Sequence, residues 1–246
     1  MNTPKKLGII GGMGSRAGAL FLNKVIDYSP ALKDQEFPEI FFHNNAVIPD
    51  RTKAVIYNGE SPMSAIYRSL ELFNQNKVDV IALTCMTVHY YYEQISVYAH
   101  ARVMNPLDLI AEHIRQNYPD AKRIGVLAGT GAINGGIYHK ALKDQSVELV
   151  TLDPEDQESI FMRALFMENG FKSAVISDEA KGMMTTAMDR LVAKGVDLFI
   201  GGCTEVSIGI DPLAVDTPYI DALDLLARKT VDFCYSGVGM ESPIAL

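Results

Sequence analysis

Residues 6–15 read KLGIIGGMGS, and a similar stretch, RIGVLAGTGA, stands at residues 123–132. A second pair repeats at nearly the same spacing, with VDVIALTCMTV at 78–88 and VDLFIGGCTEV at 196–206. The two offsets are 117 and 118 residues. Any two α/β units resemble each other somewhat, but two separate matches at one offset indicate two related halves. We therefore predict a pseudo-symmetric protein in which each half begins with a strand and a glycine loop.

Strand-like and helical segments alternate along the chain. Strand-like runs occur at 5–10, 39–44, 78–83, 122–127, 147–152 and 196–200, and several of them are continuous apolar runs, as expected for parallel strands covered on both faces. Helices are predicted after Ser61–Pro62, from Pro106, from Pro154, and in a last segment that spaces Ile220, Leu223, Ala227, Val231 and Cys234 on one face. The tail at 236–246 lacks periodicity and is predicted to fray. This alternation predicts an α/β fold of two domains, each a mostly parallel sheet flanked by helices.

Composition excludes several classes of function. The 246 residues are 48% hydrophobic and 21% charged, which is ordinary for a globular protein. A net charge of -8 without a basic block argues against a nucleic-acid or anionic-membrane partner. No apolar run is long enough for a signal peptide or a membrane span. Three cysteines without a secretion signal predict reduced thiols in a cytoplasm.

Two of the cysteines occupy equivalent positions in the repeat. Cys85 and Cys203 each follow a strand that comes late in its half. Because ligands bind beyond the carboxyl ends of strands in open α/β sheets, two halves that face each other place one thiol on each side of a cleft between the domains. Cys234 has no counterpart and continues an apolar helical stripe, so it is predicted to be a core residue.

Two opposed thiols suit acid–base chemistry at a carbon atom. A thiolate on one face can remove a proton while a thiol on the other face returns one, which is the arrangement of a racemase. Thr87 and Thr204 place hydroxyls beside the thiols, which favours a carboxylate ligand. Taken singly, each cysteine would be read as buried core. A redox pair is disfavoured because the spacing is not C-x-x-C, and zinc because neither thiol has a second ligand beside it.

The chain resembles the aspartate/glutamate racemase family, which works without pyridoxal phosphate. The resemblance covers nearly the whole length and rests on GIIGGMGS at 8–15, IPDRT at 48–52, TCMTVH at 84–89, GVLAGTG at 125–131, GFK at 170–172 and GGCTEV at 201–206. It implies racemisation of aspartate or glutamate, no cofactor, no metal, and a cytoplasmic homodimer. It also implies a first domain of residues 1–104 plus 214–246 and a second of residues 105–213.

The resemblance implies roles for particular residues. Cys85 and Cys203 would be the acid/base thiols, and Arg51, assisted by Lys172, would hold the side-chain carboxylate of the substrate. A planar guanidinium suits a carboxylate because it donates two parallel hydrogen bonds. The other implied substrate contacts are Met13, Met86, Thr87, Thr130 and Thr204. Glu205 shares the motif, but its charge would repel an acidic substrate, so it is interpreted as standing behind the contact residues.

Met86 departs from the family pattern, which usually has asparagine there, and Ser15 stands where proline is common. Because methionine cannot donate a hydrogen bond, the identity of the substrate stays open. The alternatives are a related two-cysteine isomerase or decarboxylase acting on a dicarboxylate or hydantoin, and a non-catalytic small-acid binding protein. GMGSRA at 12–17 also matches a dinucleotide signature, but the next strand lacks the acidic ribose ligand. His89, after Cys85, is interpreted as a capping or packing residue.

Overall fold

Two four-stranded parallel sheets form the framework of the molecule. The computed structural model describes residues 3–211 and 215–238. One sheet contains β1 (Leu7–Gly11), β2 (Ile40–Asn44), β3 (Val80–Leu83) and β4 (Arg102–Val103), in the order β2-β1-β3-β4. The other contains β5 (Arg123–Leu127), β6 (Glu148–Val150), β7 (Leu198–Gly201) and β8 (Tyr219–Asp221), in the order β6-β5-β7-β8. The identical strand order confirms the predicted α/β architecture of two similar halves.

Helices cover both sheets. They are α1 (Ser15–Tyr28), α2 (Arg51–Ile56), α3 (Met63–Gln75), α4 (Tyr92–Tyr98), α5 (Pro106–Asn117), α6 (Thr130–Asn134), α7 (Ile137–Leu142), α8 (Pro154–Asp156), α9 (Arg163–Phe166), α10 (Asp178–Val192), α11 (Val206–Gly209) and α12 (Ala222–Tyr235). A 3₁₀ turn, Thr87–Tyr91, precedes α4, and a π-helical turn, Gln157–Met162, joins α8 to α9. No helix among the described residues is long and apolar enough to cross a membrane.

The strands β1, β3 and β7 carry no polar side chain because both of their faces are buried. In β3, Val80 and Ala82 pack in one hydrophobic cluster, whereas Ile81 and Leu83 pack in another on the opposite face. A strand that is covered on both sides has no position for a solvated side chain. This explains why the runs at 78–83 and 196–200 contain so few polar residues.

The last helix returns to the first sheet. Leu223 and Val231 of α12 pack in the cluster that contains Leu7 and Ile9 of β1. This packing agrees with a discontinuous first domain, but the division at 104 and 213 stays a prediction. Residues 212–214 and 239–246, which include the second boundary and most of the tail, lie outside the described residues.

The structure corrects two element boundaries and adds two strands. Ile220 belongs to β8, so its assignment to the last helix was wrong. That helix begins only after Asp221, whose carboxylate accepts hydrogen bonds from the first free N–H groups of α12. The helix predicted from Ser61–Pro62 begins at Met63. The edge strands β4 and β8 have two and three residues, too few to show a period in the sequence.

Candidate active site

A cavity lies between the two halves at the carboxyl ends of both sheets. Residues from the loops after β1, β3, β5 and β7 contribute to its walls. About 30 Å³ is open to the centres of water molecules, which is room for about two of them and less than an amino acid needs. Eight of the nine site residues predicted from the sequence line it: Met13, Arg51, Cys85, Met86, Thr87, Lys172, Cys203 and Thr204.

The two thiols reach the cavity from equivalent positions. Cys85 comes two residues after the end of β3, and Cys203 comes two residues after the end of β7. Backbone hydrogen bonds tie each loop to the central strand of its own sheet: Thr84 donates to Ile10 at 3.0 Å, and Gly202 donates to Leu127 at 2.9 Å. Both cysteines are free thiols. The symmetry of the two halves therefore brings one thiol from each half into the same cavity.

A buried carboxylate joins one thiol to an ammonium group. The Cys203 thiol donates to Glu205 Oε2 at 2.9 Å, while Lys172 Nζ donates to Glu205 Oε1 at 2.5 Å. Burial opposes the charged form of Glu205, but Lys172 and the donated hydrogen bonds lower the pKa of this carboxyl overall. Glu205 is therefore an ionised acceptor, 2% exposed, at the wall of the cavity.

The surroundings of Cys203 keep it protonated. Burial and the Glu205 charge raise the pKa of the Cys203 thiol well above its ordinary value, although Lys172 opposes them. Burial would also lower the pKa of Lys172, but the charge of Glu205 and its hydrogen bond raise it. The resting arrangement is thus a thiol, a carboxylate and an ammonium in a row.

Glu205, which was interpreted as standing behind the contact residues, lies directly beside Cys203. It lines the cavity itself and contacts the thiol. The repulsion that motivated this interpretation is offset by Lys172, whose pairing with Glu205 spans 33 positions of the chain. The sequence showed that Glu205 belongs to the motif, but it did not show which cation neutralises it.

Arg51 stands at the start of α2 with its guanidinium against backbone carbonyls. Its Nη1 donates to the carbonyls of Ile48 and Pro49 at 3.2 and 2.9 Å, and its Nη2 donates to the carbonyl of Met13 at 2.9 Å. Its Nε is buried without a hydrogen-bond partner. The backbone contacts hold the guanidinium in place and leave its Nε–H as a donor without a partner.

The carbonyl of Met13 connects the two cations of the site. It accepts from Arg51 Nη2 in its own half and from Lys172 Nζ of the other half at 3.0 Å. The preceding Gly12 permits this turn because its φ is +90°, and a Cβ there would lie 2.3 Å from the backbone of Asn45. Met13 therefore acts in the site through its backbone carbonyl as well as through its side chain.

The ninth predicted residue, Thr130, is not among the described residues that line the cavity. Its hydroxyl donates to Glu158 Oε1, its amide N–H contacts Met162 Sδ at 3.4 Å, and its neighbour Gly129 lines the cavity instead. Its role in substrate binding stays a prediction. Met86, where the family usually has asparagine, lines the cavity, is 2% exposed and also packs in an apolar cluster of the core.

Besides Gly129 and Glu205, five lining residues were not predicted from the sequence as site residues: Asp50, Thr52, Met162, Leu165 and Phe166. The first two flank Arg51 in the IPDRT motif, and this adjacency was a usable signal. The other three come from the π-helical turn and α9. They form an apolar wall, and its orientation depends on the extra residue of the π-helical turn. No sequence pattern indicates such a turn.

His89 supports the first thiol loop from behind. It is 4% exposed, and its Nδ1 donates to the carbonyl of Cys85 at 2.9 Å. Burial lowers the pKa of His89 to about 4, so the ring is neutral near pH 7. His89 is not among the described residues that line the cavity, and the packing role predicted for it is confirmed.

Comparison with known proteins agrees with this geometry. The sequence profile of the family described as Asp/Glu/Hydantoin racemase matches residues 10–230. The chain belongs to this family. Membership supports amino acid racemase activity, and it confirms both the resemblance seen in the motifs and the prediction of an enzyme of the racemase class.

Individual relatives cover almost the whole chain. The broad specificity amino-acid racemase RacX of Bacillus subtilis is 27% identical over 230 residues, which are 92% of this chain and 96% of RacX. Among solved structures, the aspartate racemase of Picrophilus torridus has a TM-score of 0.78 at 24% identity, covering 92% of this chain and 93% of its own. A glutamate racemase of Francisella tularensis has a TM-score of 0.65 at 17% identity, covering 96% and 82%. These likenesses support the two-domain fold.

Proposed function

We propose that this member of the racemase family interconverts the enantiomers of an acidic amino acid, aspartate or glutamate, by a two-base mechanism with Cys85 and Cys203. The observation that carries the proposal is the presence of both thiols in one cavity, each from the equivalent loop of its half. The names of the relatives agree with the reaction class, since they include an aspartate racemase, a glutamate racemase and a broad specificity racemase.

Charged groups at the cavity suit each part of such a substrate. The Nε–H of Arg51 that has no partner donates to the side-chain carboxylate, and Lys172 adds a positive charge. Asp50 lines the cavity and uses Oδ1 to cap α2, so its carboxylate can also accept from the substrate ammonium. The hydroxyl of Thr87 lines the cavity and can donate to the α-carboxylate, whereas the hydroxyl of Thr204 donates to Glu205 Oε2 at 3.3 Å.

The reaction requires one thiolate and one thiol at a time. In one direction the Cys85 thiolate takes the α-proton, and the electron pair left on the α-carbon delocalises into the α-carboxylate. The Cys203 thiol then gives its proton to the opposite face, and its sulfur becomes the thiolate. In the other direction the roles reverse. The raised pKa of Cys203 makes its thiolate a strong base for the reverse step.

Solvent exchange tests the proposal directly. Each enantiomer of aspartate and glutamate is incubated in heavy water with the wild type and with the Cys85→Ser and Cys203→Ser variants, and α-deuterium is measured by NMR. We expect the wild type to exchange both enantiomers, and the variants to lose exchange or to retain it from one enantiomer only. Cys234→Ala is the matched control, because Cys234 is fully buried in α12 and does not line the cavity.

Two results would contradict the proposal. Turnover of maleate or a hydantoin without exchange at aspartate or glutamate would identify a related isomerase. Stoichiometric binding of an acidic amino acid without any exchange would identify a binding protein. Cytoplasmic location, a homodimeric state and independence of any cofactor remain predictions made from the family resemblance.

A further inference from the structure

At the rim of the cavity, Arg16 of the first half donates hydrogen bonds to the loop that follows α9. Arg16, the second residue of α1, donates from Nη2 to the carbonyl of Ala174 at 2.6 Å and approaches that of Ser173 at 3.4 Å. Lys172 donates in the opposite direction, to the carbonyl of Met13 at 3.0 Å. Arg16 is exposed and is not among the described residues that line the cavity. Its partners nevertheless lie one and two residues after Lys172.

The loop that Arg16 contacts is folded onto α9. The N–H groups of Phe171 and Lys172 donate to the carbonyls of Ala164 and Leu165 at 3.0 and 3.1 Å. A Cβ on Gly170 would lie 2.7 to 2.9 Å from three carbonyl oxygens of this segment, so the close approach requires glycine. A contact made at Ser173 and Ala174 is therefore transmitted to Lys172 and to the apolar wall beside it.

The cavity must open before a substrate can enter. The space of about 30 Å³ that is open to the centres of water molecules does not admit an amino acid, and the rim contacts are made in this closed arrangement. If the two halves separate to admit a substrate, the contacts of Arg16 and Lys172 across the rim must break and form again. A contact present only in the closed arrangement favours closure by its own free energy.

We propose that Arg16 is a positioning residue for the racemase reaction, which clamps the loop of residues 167–177 over the cavity and thereby holds Lys172 at the Met13 carbonyl. The expected effect on KM rests on the proposed function, but the contact between Arg16 and the loop is a property of the fold. Hydrogen bonds from a guanidinium to two carbonyl oxygens at an exposed rim should raise the ratio of closed to open protein about three- to tenfold.

The test compares Arg16→Ala and Arg16→Lys with the wild type. Arg163→Ala is the matched control, because Arg163 is equally exposed, lies on the adjoining α9 and pairs at 3.1 Å with Glu179 inside the second half. Steady-state assays with both enantiomers provide KM and kcat. Iodoacetamide alkylation of Cys85 and Cys203, followed by peptide mass spectrometry, reports opening of the cavity without any need for turnover.

For Arg16→Ala we expect KM to rise about three- to tenfold, alkylation of both cavity thiols to accelerate by a similar factor, and kcat to stay within about twofold. Arg16→Lys should recover most of the wild-type values, since an ammonium can donate to the same carbonyls. Arg163→Ala should match the wild type in all three measurements.

Unchanged KM and unchanged alkylation in Arg16→Ala would overturn the inference. So would a fall in kcat at constant KM, or a lysine variant that behaves like the alanine variant. If the wild type shows no turnover, the proposed function fails while the alkylation rates still decide whether Arg16 closes the cavity. Faster alkylation in Arg163→Ala would assign the effect to general loosening of α9 and would also overturn the inference.

Discussion

Replacement of Glu205 by glutamine should lower the pKa of the Cys203 thiol. The carboxylate accepts from the thiol at 2.9 Å, and its negative charge disfavours the thiolate. The same carboxylate neutralises Lys172 at 2.5 Å, so the amide substitution also exposes Cys203 to an uncompensated positive charge. Both changes act in the same direction, toward an easier loss of the thiol proton.

The size of the effect follows from the short distances. At an effective dielectric constant of about 20, two unit charges about 4 Å apart interact by about 4 kcal/mol. Reorientation of the amide and of the freed Lys172 absorbs part of it, so we expect the ionisation of the Cys203 thiol to become easier by about 3 kcal/mol.

The assay is the pH dependence of thiol alkylation. The rate at Cys203 is followed by peptide mass spectrometry across neutral to alkaline pH in the wild type, in Glu205→Gln and in Glu179→Gln. Glu179 carries the same charge, but it is exposed and pairs with Arg163 on the surface. Circular dichroism verifies that each variant is folded.

We expect the alkylation midpoint of Cys203 to move to lower pH in Glu205→Gln and to stay at the wild-type value in Glu179→Gln. The racemisation that starts with Cys203 as the base should shift its pH optimum in the same direction. A midpoint that is unchanged or raised in Glu205→Gln would refute the account of Cys203 as a thiol held protonated by its carboxylate neighbour.

Three further changes test other parts of the structure. Arg51→Lys keeps the charge but loses the Nε donor, so KM for an acidic substrate should rise about tenfold; an unchanged KM in steady-state assays would exclude Arg51 from carboxylate binding. Because the pKa of His89 is about 4 in the fold and 6.5 ordinarily, the unfolded chain takes the proton first as the pH falls. Urea denaturation should therefore show that the wild type loses about 2 kcal/mol more than His89→Gln between pH 7 and pH 5, and parallel losses would contradict this. In Gly131→Ala the new Cβ would lie 2.8 Å from the backbone of Thr52 across the cleft, so we expect KM to rise. Gly182→Ala is the control, because a Cβ at Gly182 meets no atom within 4 Å. This control should leave KM unchanged and add about 0.5–1 kcal/mol to the stability of its helix.

The repeat in the sequence was enough to predict both halves of the fold and the meeting of the thiols. Each cysteine follows a parallel strand, and the carboxyl ends of such strands lie at the same edge of a sheet. That placement depends on local sequence and strand direction only, so the sequence alone was enough to assign Cys85 and Cys203 to one cleft. The edge strands β4 and β8 were missed, because their positions depend on pairing with longer strands and not on a period of their own.

The electrostatics of the site depended on tertiary structure. Glu205 contacts the thiol because Lys172, brought over by the loop on α9, supplies the charge that permits a carboxylate to be buried there.

Arg16 and Ser173 are 157 positions apart and meet only because the two halves close on each other. The sequence by itself determined the long central strands, several of the helices and the places of the reactive thiols, since these follow from short-range patterns. Only the tertiary structure decided which charges neutralise each other and which contacts close the cavity. Those properties depend on distances of 3 to 4 Å between segments that the chain order leaves far apart.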